Sequence, residues 1–242
     1  MLLLLAGTGE GRELARRLAA EGRPAVASLA GATRRPAPLA LPTRVGGFGG
    51  EAGFVRFLEE RRISAILDAT HPFASRISHR TARVAAARGL PCLQLLRPPW
   101  RPGEGDNWVP ISREEEAARL IPAGATVFLA TGRQRLERFA GLSACRVICR
   151  RIDRAEEPFP FAGGEFLVGR PPFSVASEVA LFRRLGVEWL VVRNSGGAGG
   201  AAKLTAARAL GLPVAMLRRP LQPQVRRVAS VDEAMDWVRA LP

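Results

Sequence analysis

Leu14, Ala15, Leu18 and Ala19 share one side of a 3.6-residue helical period, while Arg12, Glu13, Arg16 and Arg17 share the other. Just upstream, residues 2–6 form an unbroken apolar run, the pattern of a strand buried on both faces. Short apolar runs and amphipathic stretches keep alternating along the chain. They predict strands over 2–6, 25–29, 65–68, 92–96, 126–130, 146–152, 189–192 and 214–217. Helices are expected over 12–21, 53–61, 75–88, 113–120, 134–140, 175–185, 203–210 and 231–241. Such alternation implies an α/β fold, with parallel sheets covered by helices on both faces. The Pro- and Gly-rich stretch 97–106 breaks the rhythm, and a second alternation starts near Ser112. Two Rossmann-like doubly wound domains are therefore expected, 1–111 and 112–242, with an interdomain cleft taking ligands at the carboxyl ends of strands.

A length of 242 residues and 47% apolar content suit such a pair of domains. No apolar run approaches the roughly 18 residues of a membrane span. Residues 1–6 are too short for a signal-peptide core, so a cytoplasmic protein is expected. Cys92, Cys145 and Cys149 cannot build a disulfide framework, and Cys145 and Cys149 read as buried thiols of a strand. No metal site is expected.

The net charge of +14 admits nucleic acid, a polyanionic small substrate with a phosphorylated cofactor, or a generally basic surface. The arginines are spread along the chain and no nucleic-acid-binding motif is present, which disfavours the first.

The strand-end loops carry the candidate chemistry. Gly7-Thr8-Gly9-Glu10-Gly11 follows the first strand and opens the first helix, where glycines let a pyrophosphate approach the backbone. The third glycine of the dinucleotide fingerprint is displaced: Gly11 comes one residue early and Arg12 takes its place. The second strand end lacks the acid that holds a ribose 2′-hydroxyl. No Asp or Glu lies between Gly22 and Gly50, and Ser28, Thr33, Arg34 and Arg35 stand there instead. Hydroxyls and guanidinium forks suit a 2′-phosphate, so NADPH is the expected cofactor. In the loop 68–74, His71 reads as a cofactor or substrate contact, whereas His79 falls within the next helix and reads as a surface residue.

In the second half, Thr131, Arg133 and Ser174 sit at predicted strand or helix ends. Of 36 basic residues one alone is lysine, Lys203, at the end of the loop Asn194-Ser195-Gly196-Gly197-Ala198-Gly199-Gly200. A compact ammonium fits a crowded anion site better than a planar guanidinium. The same loop also reads as a flexible turn with a surface lysine. No nucleophile motif is present and the chain has no tyrosine. Asp153, just past a strand end, is a candidate proton donor, and equally a turn aspartate paired with a neighbouring arginine.

These loops, in this order, resemble the precorrin-6A reductase family of cobalamin (vitamin B12) biosynthesis. The matching stretches are 7–10, 27–31, 44–50, 68–74, 97–100, 131–133, 172–174, 194–197 with Lys203, and 210–214. The resemblance implies hydride transfer from NADPH to a ring carbon of the precorrin-6A macrocycle, giving precorrin-6B. It carries over Gly7, Thr8, Gly9, Ser28, Arg34 and His71 as cofactor contacts. Thr131, Arg133, Ser174, Asn194, Ser195, Gly196, Gly197 and Lys203 are carried over as substrate contacts. It makes an acid such as Asp153 the proton source, and Lys203 is a further catalytic candidate. Arg193 and Arg170-Pro171 depart from the family pattern next to two of these blocks. The implied partner is an anionic tetrapyrrole-derived small molecule, with neither nucleic acid nor membrane. Other enzymes of the cobalamin pathway are further candidate partners. Relatives acting on the cobalt-bound macrocycle are not separated from the metal-free kind by these residues. The alternatives are an NADPH reductase of another polycarboxylate, a non-catalytic nucleotide sensor, and a basic nucleic-acid-binding protein.

Overall fold

The computed structural model describes residues 1–31, 38–132, 135–152 and 157–242. It divides into two compact units, Met1–Pro98 with Pro220–Pro242, and Pro99–Arg219. Residues 1–98 supply β1 (Leu2–Leu5), α1 (Gly9–Ala20), β2 (Ala25–Leu29), β3 (Thr43–Val45), α2 (Gly50–Glu60), β4 (Ala65–Asp68), α3 (Ser75–Ala87) and β5 (Cys92–Leu95). The second unit holds β6 (Trp108–Ile111), α4 (Ala117–Leu120), β7 (Thr126–Leu129), β8 (Arg146–Arg151), β9 (Gly164–Val168), α5 (Val175–Leu185), β10 (Trp189–Arg193), α6 (Ala202–Ala209) and β11 (Val214–Leu217). The chain then returns to the first unit with β12 (Arg226–Val228) and α7 (Val231–Arg239).

Each unit contains a six-stranded sheet, ordered β12-β5-β4-β1-β2-β3 in the first and β6-β11-β10-β7-β8-β9 in the second. Every recorded pairing is parallel. In both sheets the strand order reverses beside the first-formed central strand, between β1 and β4 and between β7 and β10. That reversal leaves a crevice at the carboxyl edge where the loops diverge.

The leucines of β1 show why its apolar run is unbroken. Leu2 and Leu4 pack with Leu14, Leu18, Leu67, Met235 and Val238 on one face. Leu3 and Leu5 pack with Phe54, Leu58, Ile66 and Val84 on the other. In the second sheet, Phe128, Leu190 and Val192 pack with Phe182 and Leu204. The alternate residues Val127, Leu129 and Val191 are equally buried.

The expected domain boundary at 111/112 is displaced. The structure divides at 98/99, β6 joins the second sheet, and residues from Pro220 rejoin the first unit. The four unpredicted strands are β3, β6, β9 and β12, and all are marginal in sequence. β3 and β12 are Arg-rich and largely exposed, and β6 carries Pro110, which only an edge strand accommodates. The helix expected over 134–140 is a tighter 3-10 turn at Leu136–Leu142, whose Leu136, Phe139 and Leu142 recur every third residue and are buried. The 113–120 stretch begins as a 3-10 turn at Glu114–Glu116 before α4. Cys145 and Cys149 are buried free thiols, as their strand position suggests, and burial pushes the Cys149 thiol up to about 11. Among the described residues no helix is long and apolar enough to cross a membrane.

Candidate functional site

Thr8 and His71 in the first unit, and Thr131 and Asn194 in the second, follow the strands that flank the two reversals. In the first unit, Gly7 adopts φ 140°, a conformation that favours glycine, and a Cβ there would meet nothing within 4 Å. The backbone is thus open to an approaching group at the N-terminus of α1. Thr8 caps that helix: its hydroxyl accepts from Gly11 N–H (3.0 Å) and donates to Ala69 O (2.9 Å). This ties the β1 loop to the β4 loop across the reversal. The hydroxyl of Thr8 is therefore engaged within the protein. Gly11 fills the role of the displaced third glycine, since a Cβ there would lie 3.3 Å from the Ala6 backbone. Gly9 opens the first turn, facing only Arg12 at 3.8 Å. Glu10 pairs with Arg97 at 2.7 Å, and both line a shallow hollow with Thr8, Thr70, Pro72 and Leu95.

Asp68, at the end of β4, is buried and accepts from Thr70 N–H (3.0 Å); burial raises its pKa above the usual carboxylate value. His71 Nδ1 accepts from Phe73 N–H at 3.2 Å, so the proton of a neutral ring sits on Nε2. His71 thus stands at the reversal as a donor, whereas His79 is exposed and 2.9 Å from Leu221 O.

Ser28 ends β2 and is buried, and its Oγ accepts from Arg44 at 2.9 Å. Thr33, Arg34 and Arg35 lie outside the described residues. Arg44 carries no role in the sequence reading. Its guanidinium also donates to Gly46 O and Gly47 O, both at 2.8 Å, and lies 4.0 Å from the Phe48 ring centroid. The signal that could have found it is its place as the only basic residue between Arg35 and the glycine cluster. The loop bearing Phe48 lies so close to α2 that a Cβ on Gly53 would come within 1.8 Å of Phe48 O. Gly53→Ala is accordingly expected to destabilise the protein by about 1–3 kcal/mol, read as a lower urea midpoint. An unchanged midpoint would refute the close approach.

In the second unit, Thr131 is buried just past β7 and Asn194 just past β10, on adjacent strands whose register brings Leu129 opposite Val191. Gly196 (φ 67°) and Gly197 (φ 78°) give the turn its left-handed steps. The Asn194 carboxamide is engaged at both ends: Oδ1 accepts from Trp100 N–H (2.8 Å) and Nδ2 donates to Trp100 O (2.9 Å). Arg219 donates to Asn194 O (2.8 Å) and Ser195 O (3.0 Å). Lys203 is half-buried in the first turn of α6, and its Nζ donates to Gly200 O at 2.7 Å. Among the described residues no carboxylate lies within 4 Å of that Nζ. Burial, and after it the nearby charge of Arg150, lower its pKa to about 8 against the opposite effect of Glu178.

Ser174 caps α5, accepting from Ser177 N–H at 3.1 Å. One turn on, Glu178 forms a two-pronged pair with Arg150 (2.7 and 2.9 Å), both side chains buried, with Phe173 stacked 3.9 Å from the guanidinium. That pair connects the Ser174 cap to the surroundings of Lys203. Arg133 and Asp153 lie outside the described residues. Arg193, one of the departures from the family pattern, approaches buried Glu114 at 4.0 Å.

A family model described as Precorrin-6x reductase CbiJ/CobK matches residues 1–239. A precorrin-6A reductase of Rhodococcus erythropolis is 44% identical over 99% of this chain and 98% of its own. A cobalt-precorrin-6A reductase of Priestia megaterium is 29% identical over 91% of each. A solved structure titled CobK precorrin-6A reductase superposes with a TM-score of 0.94 at 39% identity, covering 98% of this chain and 95% of that one.

Proposed function

The chain belongs to the precorrin-6x reductase family, and from that premise we propose that it is a cytoplasmic NADPH-dependent reductase of metal-free precorrin-6A, forming precorrin-6B. The higher identity to a precorrin-6A reductase than to a cobalt-precorrin-6A reductase favours the metal-free substrate. The observation that carries the cofactor half is the open backbone at Gly7, directly ahead of the N-terminus of α1. This donor set fits a dinucleotide pyrophosphate, with the N–H groups of Thr8, Gly9 and Glu10 as its holders and Arg97 close by. When bound, the reduced nicotinamide supplies the hydride.

The chain's own residues bind, orient and discriminate. Ser28 and Arg44, with Arg34 and Arg35 of the same acid-free stretch of sequence, are the proposed contacts of a 2′-phosphate, and the Nε2–H of His71 offers a donor at the strand reversal. On the substrate side, Thr131, Arg133, Ser174, Ser195, Gly196, Gly197 and Lys203 offer hydroxyls, N–H groups and cations to the carboxylates of the macrocycle. Asn194 acts there through the loop that it braces. Asp153 is the proposed source of the proton delivered to the neighbouring carbon. The +14 charge draws a polyanionic substrate towards the protein.

The deciding experiment mixes the purified protein with NADPH or NADH, with and without precorrin-6A, and follows nicotinamide absorbance. Oxidation of NADPH only in the presence of the macrocycle is expected. Tight NADPH binding without oxidation would sink the reductase and leave the nucleotide sensor. Arg34→Ala is expected to raise the KM for NADPH roughly tenfold, the loss of about one charge-assisted contact, with little change for NADH. Equal losses for both nucleotides would remove the 2′-phosphate assignment.

A further inference from the structure

Trp100 has no assigned role, although it makes three hydrogen bonds to the 194–203 loop. Its backbone N–H and carbonyl hold the two ends of the Asn194 carboxamide at 2.8 and 2.9 Å. Its indole Nε1–H donates to Gly197 O at 2.9 Å. Its ring edge lies so near Gly200 that a Cβ there would come within 2.9 Å of Cη2. The Lys203 ammonium, bonded to that same Gly200 through its carbonyl, lies 5.8 Å from the ring centroid. One residue therefore touches the whole loop, its start through the Trp100 backbone and its middle and end through the indole.

We propose that Trp100 is a positioning residue that sets the shape of the 194–203 loop and places the Lys203 amine to receive a carboxylate of the anionic substrate. The indole takes the side on which water would otherwise reach the amine, while its π face tolerates the positive charge. An ammonium that is half-buried, with no carboxylate within 4 Å among the described residues, is held ready for an incoming anion. The substrate role of the loop rests on the reductase reading; the placement of the amine by Trp100 does not.

The chain's single lysine makes a direct test possible. Trace acetylation by acetic anhydride, followed by mass spectrometry across a pH series, reads the titration of Lys203 alone. The N-terminal amine, in the other unit, is the internal reference. In the wild type the midpoint is expected near 8. In Trp100→Ala it should rise towards about 10.4, the value of a solvated lysine. The KM for precorrin-6A should rise roughly tenfold, equivalent to one lost interaction of moderate strength, with a smaller change in kcat. Trp100→Phe keeps a ring but loses the Gly197 bond, and should move both readouts in the same direction by less. A midpoint unchanged in Trp100→Phe, with Trp100→Ala either unchanged or unfolded, overturns the proposal. A shifted midpoint in a protein that turns over no precorrin-6A would sustain the placement and reject only the reductase reading.

Discussion

Lys203→Met is expected to lower kcat/KM for the macrocycle by roughly two to three orders of magnitude, the usual cost of removing one member of a desolvated charge pair. The ammonium is half-buried and carries no carboxylate within 4 Å among the described residues, and in the proposed reading a substrate carboxylate supplies its counter-charge. Lys203→Arg should restore little, because a planar fork cannot replace a point charge between Gly200 O and the Trp100 ring. The wild-type pH dependence has a definite sign. With its pKa lowered to about 8, the amine is charged below that value, and KM for an anionic substrate should climb as pH rises through it. The same shift acts against stability. Between about pH 8 and the unfolded value near 10.4, the unfolded chain binds the extra proton, so this group makes the fold less stable below about 8 and ceases to do so as pH rises. Lys203→Met should therefore be more stable at neutral pH, by on the order of 1–2 kcal/mol after allowance for solvent screening. Urea unfolding and steady-state kinetics on one preparation check both halves. Wild-type kcat/KM in the variant would end the substrate assignment.

Glu178→Ala is expected to cost about 3–5 kcal/mol of stability, because it strands a buried guanidinium. Arg150 lies beneath Phe173 and within 5.1 Å of the Phe128 ring centroid, with both prongs on Glu178. Water has little access to replace the lost carboxylate. Removing both charges with Arg150→Met and Glu178→Leu should recover most of the loss, since apolar groups of similar size avoid desolvation altogether. Denaturant midpoints for the single and double variants form the cycle. A loss below about 1 kcal/mol for Glu178→Ala would mean that the pair behaves as a surface ion pair.

The buried architecture was legible because central strands must be apolar on both faces. β1, β4, β7, β10 and β11 all announce themselves as apolar runs. Edge strands carry no such requirement, and β3, β6, β9 and β12 use Arg, Pro and exposed positions that read as loop. The domain boundary was misplaced for the same reason, since β6 and β12 decide which segment belongs to which sheet. At the candidate sites, residue types at strand ends were legible, but the groups that they engage were not. Thr8 looked like a phosphate contact, and its hydroxyl is a helix cap and a tie to Ala69. Asn194 looked like a ligand contact, and its amide braces Trp100. Arg44 and Trp100 were overlooked because their significance lies in partners 16 and 94 positions away, Ser28 and Asn194.

The return of the chain to its first sheet fixes an order of events on the ribosome. The face of β1 formed by Leu2 and Leu4 is covered partly by Met235 and Val238, and α1 is fastened to α7 by Arg17–Asp232 and Glu21–Arg239. Those partners emerge only after residues 99–219 have been synthesised. The second unit has its whole sequence available first, while the first unit waits as a nascent, partly uncovered layer. A premature stop codon between Arg219 and α7 would therefore spare the later-starting half and cripple the one translated first.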